Sequence, residues 1–486
     1  MVLVAALLPG AAVALTGDSV CSVDGTGILS NGVTFIDFTL RPETESAIRC
    51  RIELPSAAKW NGELWGVGTS SMGGSVRRIG EYSAAGCAVA TTDLGTSRYV
   101  AGGDRAGEPL PEAVFKDYSW RATHLMTVYA KRFVGEHYGT PPRRSYFRGG
   151  SCGGRQGLSE AMRFPADYDG VIAAIPAAMA IVANAQALNV YRQTHDASGQ
   201  ELFTPKQLRL LADAPIEYMQ NRDVPPYAGS VLSNPFLTEE EIDGILSLVA
   251  RKDPTLADAE YQKRMRGIFQ GVQDAAGRTI CHGMLPGVFH GEAKGMSMKA
   301  KGLCLQSVLR DGAAYPAYPS WDDFERLAVS RGGEINAAST DLSEFARRGG
   351  KLIVTCGWED QTTPAPEVVS WYEYLVAAQG GLEKTQAFCR LFPLPGVAHG
   401  GGHGRITVGG AACTGVHLDL LRRWVEDGEA PTVYPLLWRQ KKLTLPIPPY
   451  PLQCYLDDNN RWQTRRYPTE RVRHPHPRYF RTDKLR

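Results

Sequence analysis

Strand-like and helix-like segments alternate at both ends of this chain, and the alternation predicts an α/β fold with a mostly parallel sheet and helices on both faces. Three observations carry that prediction. Short apolar runs ending in Gly occur at 64–68 and 87–95, and the strand pattern returns at 349–358. Segments of helical spacing separate them. From about 186 to 340 the strand signal fades and helical pieces replace it, which reads as an insertion between sheet strands.

The elements follow in order. Residues 34–54 alternate apolar and polar side chains (VTFIDFTL, AIRCRIELP) and read as half-buried strands. LWGVG and CAVATTDLG read as short strands feeding loops, and HLMTVYAKRFVGEHYG as a helix with a glycine stop. RRSYFRGG is a strand entering a turn, GRQGLSEAMRF a helix, and YDGVIAAIPA a buried strand. TPKQLRLLADAPIEYM, TEEEIDGILSLVA and DAEYQKRMRGIFQGV are the helical pieces of the insertion. The strand pattern returns at GGKLIVTCGW, followed by a helix (PEVVSWYEYLVAAQ), a strand (FCRLFPLPG) and an amphipathic helix (GVHLDLLRRWVEDG). After about 445 the chain turns Pro-rich and then basic, and is expected to be a solvated tail.

Composition narrows the function classes. Of the 486 residues, 43% are hydrophobic and 21% charged, which suits a large core and excludes a disordered or fibrous chain. A net charge of +2 gives no field for nucleic acid or an acidic partner. The leader MVLVAALLPGAAVALTG is too short and broken to span a bilayer, and Ala12-Val13-Ala14 resembles a signal cleavage site. Export is expected, with residues 1–16 as a signal peptide. None of the ten cysteines forms a CxxC pair, so disulfides are expected rather than zinc: Cys21–Cys50 first, Cys281–Cys304 second, Cys413–Cys454 third. Cys87 and Cys356 read as buried thiols.

The chemistry centres on RGGSCGGRQG (148–157), a strand-to-helix turn. Gly149-x-Ser151-x-Gly153 makes Ser151 the tip of a nucleophile elbow, and Gly150-x-Cys152-x-Gly154 fits the same frame with a thiol. Such a turn lifts the nucleophile above the sheet beside a helix N-terminus, where the following N–H can donate to an oxyanion. An acid and then a base should follow in chain order. GGKLIVTCGWED supplies Asp360, with Glu359 beside it, and RLFPLPGVAHGGGHG supplies His399 and His403. A bland reading makes Asp360 only a helix cap. His124 reads as a buried, hydrogen-bonded histidine, Trp358 as loop packing, and His282, His290, His474 and His476 lack ligand spacing.

These residues place the chain in a recognisable pattern. Through IELPSAAKWNGELWGVG, YSWRATHLMTVYAKRFVGEHYG, SYFRGGSCGGRQGLSEAMRFPADYDGVIAAIPA, GGKLIVTCGWEDQTTPAPEVVSWY, RLFPLPGVAHGGG and LLRRWVEDGEAP it resembles the tannase/feruloyl esterase family of α/β-hydrolases, which also contains mono(hydroxyethyl) terephthalate hydrolase. The resemblance covers most of 45–185 and 340–435. It implies an α/β-hydrolase fold whose catalytic domain is formed by 17–185 and 341–445, with a helical lid at 186–340 and a C-terminal extension at 446–486. The family elbow, Gly-Cys-Ser-x-Gly-Gly-Arg-Gln-Gly, implies Ser151 as nucleophile, Asp360 as acid and His399 as base. The family's elbow cysteine falls on Gly150 and its His-Cys cysteine on Gly400, so the disulfide it forms between those loops is missing here. That implies a softer His399 loop.

The resemblance also implies an oxyanion hole from the backbone N–H of Cys152 and of Ser71 (or Ser70) in GVGTSSMGG. The family's calcium loop is not matched by LLADAPIEYMQNRDVPPYAG, so neither metal nor cofactor is expected. The implied activity is hydrolysis of small-molecule esters of aromatic acids: galloyl, feruloyl or a terephthalate monoester. Lid aromatics (Tyr191, Tyr218, Tyr261, Phe269, Phe289) line up with that substrate class, and Arg264 and Arg266 read first as a solvated helix face. Two readings of other classes stay open: a non-catalytic relative that binds aromatic ligands, and a thiol hydrolase acting through Cys152, whose GxCxG frame resembles dienelactone hydrolases.

Overall fold

A computed structural model describes residues 19–288, 321–401, 405–406 and 418–480. The leader, Cys304, Cys413, Phe289, His290 and His403 lie outside the described residues. The strands are β1 (Cys21–Ile28), β2 (Thr34–Leu40), β3 (Ile48–Leu54), β4 (Glu63–Val67), β5 (Ala88–Thr92), β6 (Arg144–Gly150), β7 (Gly170–Ala174), β8 (Val272–Gln273), β9 (Thr279–Cys281), β10 (Lys351–Gly357) and β11 (Cys389–Leu394). Nine of them form one sheet in the order β1-β2-β3-β5-β4-β6-β7-β10-β11. The pairs from β5 through β11 are parallel, and β1, β2 and β3 make an antiparallel edge. The alternating pattern at 34–54 thus marks the half-exposed edge, and the continuous apolar runs mark the parallel centre.

Alternate residues of the central strands feed two buried clusters, one per face. Leu64, Phe147, Val171 and Val354 share one with Met126, Leu158 and Val369 from helices α3 (Ala122–Tyr138), α4 (Cys152–Arg163) and α11 (Ala365–Ala378). Trp65, Tyr146, Ile172 and Ile353 share the other with Tyr82 of α1 (Gly80–Ala84) and Leu421 of α13 (Leu418–Glu426). The glycine stop of α3 holds: Gly139 is left-handed, at φ 72°.

The chain leaves the sheet after β7 and returns at β10. Between them lie α5 (Ala180–Thr194), α6 (Pro205–Met219), α7 (Glu239–Lys252), α8 (Ala259–Gln270), the β8–β9 hairpin and α9 (Trp321–Ile335). Thr204 and Thr238 open α6 and α7 with full capping boxes. Within the described residues, no helix is long and apolar enough to cross a membrane.

Two expectations fail. Cys50 is a free thiol, so the Cys21–Cys50 bridge is not formed. Cys21 pairs with Leu40 across β1–β2 and Cys50 with Phe38 across β2–β3, so an intervening strand separates them. Cys281 and Cys454 are also free, and their expected partners lie outside the described residues; Cys87 and Cys356 are buried thiols, as read. Nor is the end a solvated tail. β12 (Tyr434–Trp438) pairs with β13 (Leu443–Ile447), and β14 (Leu452–Leu456) with β15 (Trp462–Arg466). Tyr467, Val472, Tyr479 and Phe480 are buried. Their apolar bulk outweighs the intervening arginines, whose heads reach acceptors such as Glu239 and the Phe236 carbonyl.

Candidate active site

Parallel strands deliver their following loops to one edge, and three such loops meet here. Ser151 follows β6, Asp360 the end of β10, and His399 the end of β11. The Ser151 turn is strained: φ 62° and ψ −121° in a residue with a side chain. Its N–H donates to the Ala174 carbonyl, and its own carbonyl accepts from Ala177 and Arg155. Glycines permit the crossing. A Cβ at Gly149 would lie 2.3 Å from the Gly153 carbonyl oxygen, and one at Gly68 2.7 Å from Gly153 Cα.

The structure brings together the three side chains that the sequence singled out. His399 Nε2 lies 3.1 Å from Ser151 Oγ, and its Nδ1 lies 2.8 and 3.0 Å from the Asp360 carboxylate oxygens. Asp360 is buried, and its Oδ1 accepts from the Thr362 and Thr363 N–H groups, both at 2.8 Å. The Thr363 hydroxyl donates to Oδ2, also at 2.8 Å. Asp360 is not the helix cap: the next helix begins at Ala365 with Pro364 at its N-cap, and the Asp360 carboxylate closes the turn before it. Glu359 turns away to Arg405. The acid turn and the base segment are sewn together, with Trp358 N–H donating to the Leu394 carbonyl and Glu359 N–H to that of Val397.

The imidazole reaches Ser151 rather than Cys152. Cys152 Sγ is buried 3.2 Å from Arg155 Nη2, 3.5 Å from Gln156 Nε2 and 3.6 Å from Tyr118 Oη. Helix α4 starts at Cys152, so its first amides have no intrahelical acceptor. In the loop after β4, Thr69 N–H is taken by Gln156 Oε1, while the Ser70 and Ser71 amides meet no acceptor among the described residues. Ser71 has φ 57°, and its carbonyl accepts from Tyr118 Oη.

Other singled-out residues behave more plainly. His124 Nδ1 sits 2.7 Å from Asp167 and the ring stacks on Phe164. Trp358 is loop packing: its Nε1 donates to buried Tyr467. His282 is buried with Nδ1 against the Gly283 carbonyl, and burial pushes its pKa down to about 4. His474 bonds Ser370 and Glu373. Arg264 pairs with Glu260, and Arg266 with Glu239 and Asp243. Tyr191 and Phe269 are buried within the insert.

Sequence reasoning missed the supporting residues: Gln156, which ties the Thr69 loop to α4, and Gln361, whose Oε1 accepts the His399 N–H. It also missed Glu367, a buried carboxyl pushed well above its usual range by burial and then by Asp360. The polar run QTTP after Asp360 was the available signal for a capped acid turn.

A family model described as tannase and feruloyl esterase matches residues 36–226 and 259–455. The chain belongs to the tannase and feruloyl esterase family. A probable feruloyl esterase B-2 of Aspergillus flavus is 26% identical over 431 residues, covering 84% of this chain and 81% of that protein. An uncharacterized esterase of Xanthomonas campestris pv. campestris is 29% identical over 436 residues, covering 80% and 75%. Among solved structures, feruloyl esterase B from Aspergillus oryzae superposes with a TM-score of 0.77 at 20% identity, covering 93% of this chain and 98% of that one. Tannin acyl hydrolase from Aspergillus niger gives 0.72 at 16% identity, covering 96% and 94%. The fold is that of these α/β-hydrolases, and this family member is a carboxylic ester hydrolase.

Proposed function

We propose that this hydrolase cleaves esters of aromatic carboxylic acids through an acyl-enzyme on Ser151. The observation that carries the reading is the continuous line from Asp360 through His399 to Ser151 Oγ. Asp360 accepts from His399 Nδ1–H, which leaves Nε2 as the lone-pair nitrogen facing the hydroxyl. As Oγ attacks the ester carbonyl, Nε2 takes its proton and Asp360 stabilises the imidazolium. The oxyanion is received by the N–H groups of Cys152 and Ser71. The imidazolium then protonates the departing alcohol. Water enters, gives its proton to Nε2, and frees the acid. This cycle needs no cofactor.

The acyl group is taken from the names of the relatives, feruloyl esterase and tannin acyl hydrolase. The helical insert acts as the lid that sets it; a terephthalate monoester is a further member of the same class. Wild type, Ser151→Ala and Cys152→Ala should be compared on methyl ferulate, methyl gallate and p-nitrophenyl acetate. Loss only in Ser151→Ala, by about 10⁴-fold or more, is expected. Loss only in Cys152→Ala would transfer the nucleophile to sulfur. No turnover by wild type on any of the three would point to a binding protein or a different ester.

A further inference from the structure

His399 sits in a segment with much backbone freedom. Gly396 and Gly400, on either side, have φ of 64° and 76°. The base can be held to a fraction of an ångström only if that segment is fastened elsewhere. Among the described residues, three further fasteners add to the Glu359 N–H bond to the Val397 carbonyl. His399 N–H donates to Gln361 Oε1 at 3.2 Å, and Ile406 N–H donates back to the Gly396 carbonyl at 2.8 Å. The third is Arg405, six residues beyond the base, and it acts in two directions.

Toward the sheet, Arg405 grips Glu359, the neighbour of the acid. Its backbone N–H donates to Oε2 at 3.0 Å and its Nε lies 3.4 Å from Oε1. Toward the insert, Nη2 donates to Asp213 Oδ1 at 2.6 Å and lies 3.4 Å from the Ala212 carbonyl, both in α6. The Arg405 side chain is 13% exposed, Glu359 5% and Asp213 45%. The Glu359 contact is therefore the shielded one, with its hydrogen bond given by the Arg405 backbone N–H and an ion contact added by the guanidinium, and the Asp213 contact is the solvent-screened one. From the base segment, one guanidinium thus touches both the acid turn and the insert.

We propose that Arg405 is a positioning residue for the ester-cleaving reaction. Its Glu359 arm sets His399 against Asp360 and Ser151, and its Asp213 arm seats α6 of the insert. The inference rests on the Ser151–His399–Asp360 reading. The two arms make different predictions. Loosening the Glu359 arm lets the base drift and should appear in kcat, since a displacement of about 1 Å can cost about 100-fold. Loosening only the Asp213 arm should appear in KM for an aromatic ester that the insert contacts, with kcat held.

The test uses the full chain, with methyl ferulate and p-nitrophenyl acetate as substrates, a fluorophosphonate as serine probe, and Tm as the control for folding. Arg405→Ala is expected to lose about 100-fold in kcat on both substrates and to slow probe labelling in proportion; its Tm should fall because buried Glu359 loses its counter-ion, so rates are taken well below that Tm. Millimolar guanidinium should restore part of that loss in Arg405→Ala and none in His399→Ala. Arg405→Lys keeps the charge without the fork and should fall between. Asp213→Ala should raise KM for methyl ferulate several-fold while kcat on p-nitrophenyl acetate stays at the wild-type value. If Arg405→Ala does not fold, Arg405→Lys decides, and wild-type kcat in it overturns the proposal. So does an Arg405→Ala that turns over like wild type, or whose loss matches its unfolded fraction. A wild type that neither hydrolyses esters nor takes the probe overturns the underlying reading, and this inference with it. Wild-type activity unaltered in every Arg405 variant overturns this inference alone.

Discussion

Asp360→Asn separates a catalytic carboxylate from a turn-capping one. Oδ1 of Asp360 accepts two backbone N–H groups, from Thr362 and Thr363, at 2.8 Å each. An amide must keep its oxygen there, so its NH₂ takes the Oδ2 position, 2.8 Å from His399 Nδ1. The Thr363 hydroxyl can turn from donor to acceptor, so the new amide is satisfied. The imidazole then has to accept at Nδ1 and carry its proton on Nε2, facing Ser151 with a donor where a base is needed. The same tautomer inversion elsewhere costs about 10⁴-fold in kcat, or about 5 kcal/mol of barrier. Stability should change by no more than about 1 kcal/mol, because the capping bonds survive. Asp360→Ala should lose comparable activity and also be destabilised by about 1–3 kcal/mol, since two amides lose their acceptor. Initial rates on methyl ferulate, with urea unfolding of each variant, make the comparison. An Asp360→Asn enzyme retaining more than about a tenth of wild-type kcat would refute the reasoning and reduce Asp360 to a cap.

Cys152→Ala should remain active but unfold about 1–3 kcal/mol more easily in urea, because Arg155, Gln156 and Tyr118 lose the sulfur they surround. Tyr467→Phe strands the buried Trp358 N–H and should cost a similar amount, about 1–3 kcal/mol, and removing 449–486 should destabilise far more. Burial, and then the Asp167 carboxylate, push the Glu160 carboxyl well above its usual range. Its contribution to stability is therefore full below its unfolded pKa and is lost as pH rises through the folded one. Glu160→Gln should raise Tm over wild type at about pH 8, with the gain vanishing near about pH 4, a series that scanning fluorimetry can follow.

The parallel centre and its active edge were legible because their signals are local. A buried strand, a glycine turn and a helix follow one another at 144–163, and the later loops put an acid and a base in the required order. The first strand was missed because Cys21–Ile28 carries two glycines and lies at the sheet edge, where alternation is weak. The C-terminal segment was misread because its arginines and prolines dominate the composition, while its packing depends on a few aromatics. Tyr467 under Trp358 and Tyr479 bonded to Asp274 have partners more than a hundred residues away. Arg405 was invisible for the same reason, since its partners lie in the acid turn and in α6. Local pattern reports which residues could act, and long-range contacts decide what holds them.

The central claim is covalent, and acid-quenched mass spectrometry of the enzyme mixed with p-nitrophenyl ferulate tests it most directly. The account predicts a feruloyl adduct that forms within the burst of nitrophenol release and maps to the peptide containing residues 148–157, on Ser151 Oγ. The same adduct should persist in Cys152→Ala and be absent in Ser151→Ala. An adduct on the Cys152 sulfur, or steady turnover with no acylated protein in wild type or in slowed variants, would contradict it.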